Sequence, residues 1–210
     1  MASSRLADQV AELIDKPGPL SVVQAGDPVL RQQAASYDGQ FGEDLLGRLI
    51  VRMRETMEGI DGAVGLAAPQ IGLSVGLAVL ATPEAFADAL IRRGQQPVPF
   101  TVLINPSYRA VGRRRVGGYE GCLSVPGWQA VVARPDRIRL HRQDETGRRL
   151  VEEYTGIGAR IVQHETDHLG GTLYLDGAEL RSFSTTEQVV QRWGATGPGV
   201  AAEQLGFALP

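Results

Sequence analysis

His164 and His168 are the residues in this chain best spaced for chemistry: four apart on a helix, they stack on one face and can share a single metal ion. Glu165 lies one position round from His164, near enough to reach a water on that ion without becoming a ligand. That is the layout of metal-assisted hydrolysis with a carboxylate base. An HExxH pattern also arises by chance on solvated helices, so a third ligand is needed. The sole cysteine, Cys122 in Glu120-Gly121-Cys122-Leu123-Ser124, could complete a Cys-His-His set and leave one position open. A lone cysteine is otherwise most often a small buried hydrophobe. A further segment, Ala63-Val64-Gly65-Leu66-Ala67-Ala68-Pro69-Gln70, strings together small residues that permit close backbone approach and ends in a side-chain amide donor.

In this order the three segments resemble the motifs of the peptide deformylase family, GxGxAAxQ, EGCLS and HExDH. The second and third match in full. Leu169-Gly170-Gly171-Thr172-Leu173-Tyr174-Leu175-Asp176 is similar to the family's continuation of the third, and Gly26-Asp27-Pro28-Val29-Leu30-Arg31 to its N-terminal signature. The resemblance runs from about Val22 to about Asp176. It departs at Ala63, where the family has a glycine. If that position must have positive φ, alanine strains the loop; the expectation is that it need only be small, because Gly62 beside it can absorb an unusual angle.

The resemblance implies a hydrolase that removes the formyl group from N-formylmethionyl nascent peptides and releases formate. One divalent ion would be held by Cys122, His164 and His168, with Fe²⁺ expected natively and Zn²⁺ or Ni²⁺ also suited to these ligands. Glu165 would be the proton carrier, and the Leu123 backbone N–H with the Gln70 amide would face the developing oxyanion. The backbones of Gly65 and of Gly118, Tyr119 and Glu120 would hold the peptide as an added strand, and Val64, Ile157, Ile161 and the flank of His164 would receive the methionine side chain. Glu120 and Arg134 form a candidate ion pair behind the cysteine, supported by Asp167.

Elements must place these groups. Ile157, Ile161, Val162 and Leu169 mark the metal helix as buried round much of its circumference, with Gly156 and Gly158 before it and Gly170-Gly171 ending it. The expected fold is α+β: this central helix packed against antiparallel or mixed sheets, an amphipathic helix before the glutamine loop, and an N-terminal helical extension. Leu46, Leu49, Ile50, Met53 and Met57 place the amphipathic helix from about Gly42 to Glu58; Leu6, Val10, Leu13 and Ile14 mark the extension, stopped by Pro17-Gly18-Pro19. Strands are expected over Val75–Leu80, Thr101–Asn105 and Glu120–Pro126, and a hairpin from Arg137–His141 and Arg149–Tyr154, with His141 facing solvent. Pro83 to Arg93 reads as a peripheral inserted helix with Phe86, Leu90 and Ile91 on one face. The chain divides into an extension (1–20), a catalytic domain (21–180) and a partly helical tail (181–210), weakly patterned over its last ten residues.

With 210 residues, a formal charge of −3 and a pI near 5.7, the chain has no global field drawing it to nucleic acid, and its apolar runs are too short to span a bilayer. The start lacks the apolar stretch of a signal peptide, and one cysteine allows no internal disulfide, so a cytoplasmic protein is expected. Ser182 to Pro210 holds only Arg192 as a cation, against Glu187 and Glu203. It is therefore unlike the basic C-terminal helix that some deformylases are thought to dock on the ribosome. Any transient ribosome contact would fall to Arg113-Arg114-Arg115, and loss of the chain beyond Gly194 should leave catalysis within a few-fold. Two rival readings stand: an HExxH zinc peptidase taking Glu179 or Glu187 as third ligand, and a deformylase-like metal-binding protein without turnover.

Overall fold

The apolar stripes form helices where the sequence places them. In the computed structural model, which describes residues 2–194 and 196–210, α1 spans Ala2–Asp15 and α2 spans Gly42–Glu58. Leu46, Leu49, Ile50, Met53 and Met57 all face inward and meet Val10 and Ile14 of α1 in one core cluster. Because α1 shares that core, the extension packs with the rest of the chain.

Two sheets flank the site. The larger has the order β1-β2-β3-β6-β7, from β1 (Gly65–Ala67), β2 (Leu77–Leu80), β3 (Thr101–Ala110), β6 (Arg137–Gln143) and β7 (Arg149–Thr155). The smaller has the order β4-β5-β8, from β4 (Arg115–Cys122), β5 (Val125–Pro135) and β8 (Ala178–Thr185). All pairings between named strands are antiparallel. Helix α4 (Gly156–Leu169) lies between the sheets, with Ala159, Ile161, Val162 and Leu169 buried against Ala67, Ala78, Leu80, Leu103, Ile138 and Leu140. The sheet topology leaves β1 at one edge of the larger sheet and β4 at one edge of the smaller.

Several expectations need correcting. Glu120 to Pro126 is not one extended run: Leu123 and Ser124 form the turn of the β4–β5 hairpin. Gly156 and Gly158 lie inside α4, in its first turn. The inserted helix forms as α3 (Glu84–Arg92) but buries no residue, with Phe86 45% and Ile91 57% exposed. Past Asp176 the chain is more regular than its sequence suggests: β8 crosses the 180/181 boundary, a short α5 (Thr186–Gln188) runs into a π-helical turn (Val189–Trp193), and α6 spans Pro198–Leu205. Pro198 sits in the first turn of α6, where its missing N–H costs nothing, and Gly206 supplies the left-handed cap, so residues that read as breakers are helix ends. The solvent-facing His141 and the hairpin turn at Asp144 and Gly147 are as expected.

Candidate active site

Cys122 ends β4 opposite the face of α4 that carries both histidines. Its Sγ lies 3.3 Å from His168 Nε2, the two rings are 5.0 Å apart, and the ligand atoms of Cys122, His164 and His168 all lie within 4.8 Å of one another. Among the described residues this is the sole His/Cys/acid group able to hold a metal. Glu179 and Glu187 are not part of it: Glu179 accepts from the Arg181 N–H and Glu187 from Gln191. The donor set fits a divalent ion, since one soft thiolate and two imidazoles converge with room for an exogenous oxygen.

Behind the ligands lies a buried charge network centred on Glu120. Its carboxylate accepts from Arg134 at 2.6 and 2.9 Å, from Arg160 at 2.5 Å, and pairs with His164 Nδ1 at 3.0 Å. With Nδ1 donating to Glu120, the lone pair of Nε2 is left for a metal. Burial opposes ionisation of Glu120, but the hydrogen bonds from His164 and Arg134 outweigh it and hold the carboxyl well below the usual range. Burial likewise opposes an imidazolium at His164, yet hydrogen bonds with Cys122 and Glu120 raise its pKa well above the ordinary value. His168 goes the other way: burial, and then the nearby His164 and Arg134, hold it well below the ordinary value, which keeps its ring neutral with a lone pair for a metal. Arg134 also binds Asp167 at 2.7 Å, and Asp167 accepts from the Tyr108 hydroxyl at 2.8 Å.

Glu165 is 3% exposed, and its Oε2 has no hydrogen-bond partner among the described residues. Burial pushes its carboxyl up to about 7. Gly65 makes its position possible, because a Cβ there would lie 2.2 Å from Glu165 Oε1. Gln70, 2% exposed, accepts the Ala67 N–H at 2.9 Å, which turns its amide nitrogen toward Cys122 Sγ at 3.5 Å and Ser124 Oγ at 3.3 Å. Ala63 does not have positive φ whereas Gly62 does, at +78°, so the departure from the family pattern carries no strain.

A cleft of about 610 Å³ runs between the β1 and β4 edges. Val64, Gly65, Gln70, Tyr119, Glu120, Cys122, Leu123, Ile157, Ile161, His164 and Glu165 line it; His168, Arg134 and Asp167 stand behind. Gly118 lies instead on an adjoining groove of about 280 Å³, where the absence of a side chain makes room for Arg160, 3.0 Å from an added Cβ. The Glu120 carboxylate is spent on the network, so only its backbone remains for a substrate. Sequence reasoning missed Arg160, although it sits one turn before His164 on the same helix face. Ser124 was overlooked too, despite lying within the quoted motif, as was Gln95, which accepts the Ile157 N–H at 3.0 Å and secures the first turn of α4. Tyr108 gave no local signal.

Residues 19–184 match the model of the polypeptide deformylase family. The chain belongs to that family. It is 57% identical over 210 residues to peptide deformylase 3 of Streptomyces avermitilis, covering all of this chain and 93% of that protein. The crystal structure of peptide deformylase from Thermotoga maritima superimposes with a TM-score of 0.65 at 36% identity, with 77% of this chain matching 99% of that one. A Met-Ala-Ser-bound structure of the Acinetobacter baumannii enzyme gives a TM-score of 0.65 at 28% identity, over 77% of this chain and 99% of that one. The fold is therefore the α+β deformylase fold, and this chain is a metal-dependent hydrolase that removes the N-formyl group from nascent peptides. Neither rival reading is favoured.

Proposed function

We propose that Cys122, His164 and His168 hold one divalent ion, Fe²⁺ natively with Zn²⁺ or Ni²⁺ as working substitutes, and that deformylation proceeds at the β1–β4 cleft. When bound, the ion supplies Lewis-acid polarisation and an acidified water. Glu165 takes up the proton released on attack and hands it to the departing amine nitrogen of methionine, a role suited to a buried carboxyl near 7. The Gln70 amide and the Leu123 N–H donate to the formyl oxygen as it gains charge, and Ser124 keeps Gln70 aimed. The backbones of Gly65, Tyr119 and Glu120 pair with the peptide, with Gly118 acting through the room it leaves for Arg160. Val64, Ile157 and Ile161 receive the methionine side chain. Glu120, Arg134 and Asp167 orient His164 and the cysteine strand.

The observation that carries this reading is the unpartnered, buried Glu165 oxygen beside a convergent thiolate and two imidazoles. Residues 21–180 carry the catalysis, with the segments on either side supporting them. The protein works in the cytoplasm, where formylated chains emerge and a lone thiol stays reduced. It touches the ribosome transiently and reads no nucleic-acid sequence. Anaerobic purification with metal analysis, followed by formate release from formyl-Met-Ala-Ser with each metal restored, tests the assignment. Highest activity with a metal other than Fe²⁺ would overturn the choice of ion, and no formate with any metal would overturn the site.

A further inference from the structure

The smaller sheet has the order β4-β5-β8, so β4 is paired along one edge only, and its other edge is the one facing the cleft. A strand held on one side shifts unless its faces are packed. One face of β4 carries Glu120 and is fixed by the charge network. On the other, Tyr119 packs in a cluster with Trp193, Ala201, Leu205 and Phe207. A Cβ added at Gly117 would lie 2.6 Å from Leu209 Cδ2, so the chain end rests directly on the strand, and Arg181 donates to the Gly206 carbonyl at 2.6 Å to hold it there.

We infer that residues 198–210 are a positioning element for the substrate: they brace β4 from behind and set the edge against which the formylated peptide is held. The family match stops at residue 184, before this element begins. Composition suggests a dispensable tail, because no residue assigned to the site lies in it; its packing in one cluster with Tyr119 argues for a supporting role instead.

The inference rests on the reading that the peptide pairs with β4. The test uses the full metal-loaded chain and compares formyl-Met-Ala-Ser with formyl-methionine amide, which has no peptide to pair. Phe207→Ala should raise KM for the tripeptide about three- to tenfold, the size of one lost peptide hydrogen bond. Values of kcat should stay within about twofold, formyl-methionine amide should be unaffected, and hydrogen exchange at the Tyr119 and Glu120 amides should speed up. Phe207→Leu should restore the parent values. If the parent favours the tripeptide and Phe207→Ala changes neither KM nor exchange, the bracing is overturned. A parent without preference for the tripeptide overturns the pairing with β4 instead, and exchange at those amides then decides the bracing alone. Should Phe207→Ala not fold, Leu209→Ala is judged by the same split between KM and kcat.

Discussion

The two walls of the cleft solve the same problem by opposite means. On the β4–α4 wall, charge sets the aim: Glu120, Arg134, Arg160 and Asp167 are ion-paired behind His164, and their hydrogen bonds fix the ring. The β1 wall contains almost no charge near the site. There Leu66, Ala67 and Ala68 are fully buried, Gly65 leaves room for Glu165, and Gln70 is the one buried polar side chain. One wall positions atoms by attraction and the other by withholding volume. Substitutions on the first should therefore lose aim and stability together, and those on the second should fail by collision.

The largest effect is expected at Cys122, the junction of the walls. Cys122→Ala should lose the metal and with it all detectable formate release, while circular dichroism and the thermal transition show a folded protein, because the cores around α2 and α4 do not depend on the ion. Full metal content with activity would remove the thiolate from the ligand set. Glu165→Ala follows: metal analysis should read about one ion per chain while kcat falls at least about 10²-fold, the lower end for a general acid–base group. Activity within a few-fold of the parent would exclude Glu165 as the proton carrier.

Gly65→Ala tests the uncharged wall. The new methyl must push the Glu165 carboxylate aside, and a displacement near 1 Å can cost about 10²-fold. A fall in kcat of about 10- to 10²-fold with metal retained is expected; unchanged kcat would show that the wall yields and that volume does not set the aim. Arg134→Met tests the charged wall. It takes from Glu120 and Asp167 their shared cation but leaves Glu120 with Arg160 and His164 and Asp167 with Tyr108, so the loss should fall below the cost of a fully broken buried pair, about 3–5 kcal/mol, to be read by denaturant unfolding. The folded pKa of Glu120 is depressed, so its contribution is present above the unfolded carboxylate value and is lost as pH falls through the folded one. The parent should keep this stability to more acid pH than Arg134→Met.

The same contrast governs what could be read in advance. Cys122, the α4 histidines and Glu165 were legible because contiguous motifs carry them, and α2 because its stripe repeats at helical spacing. Arg160 could have been found from its i−4 relation to His164. Tyr108 could not, since its contact with Asp167 depends on where β3 passes α4, which local pattern does not encode. Strand β8 escaped because it mixes apolar and polar residues without clean alternation and its pairing with β5 is interrupted by a register shift. In α3 the periodicity gave the helix correctly but said nothing of what packs on it, and Phe86 and Ile91 remain exposed.

The smallest effect should come from Ala63→Gly, which restores the family's residue in the first motif. Were a left-handed angle needed at this position, glycine would relieve strain and stabilise the loop. Gly62 already supplies it, at φ +78°, and Ala63 has no positive φ, so the substitution can only free the unfolded chain and remove a mostly buried methyl. A loss of about 0.5–1 kcal/mol in denaturant unfolding is expected, with kcat/KM for formyl-Met-Ala-Ser within about twofold of the parent. A gain in stability would mean that the loop is strained at residue 63 after all, and that the uncharged wall is held by backbone geometry as well as by small size.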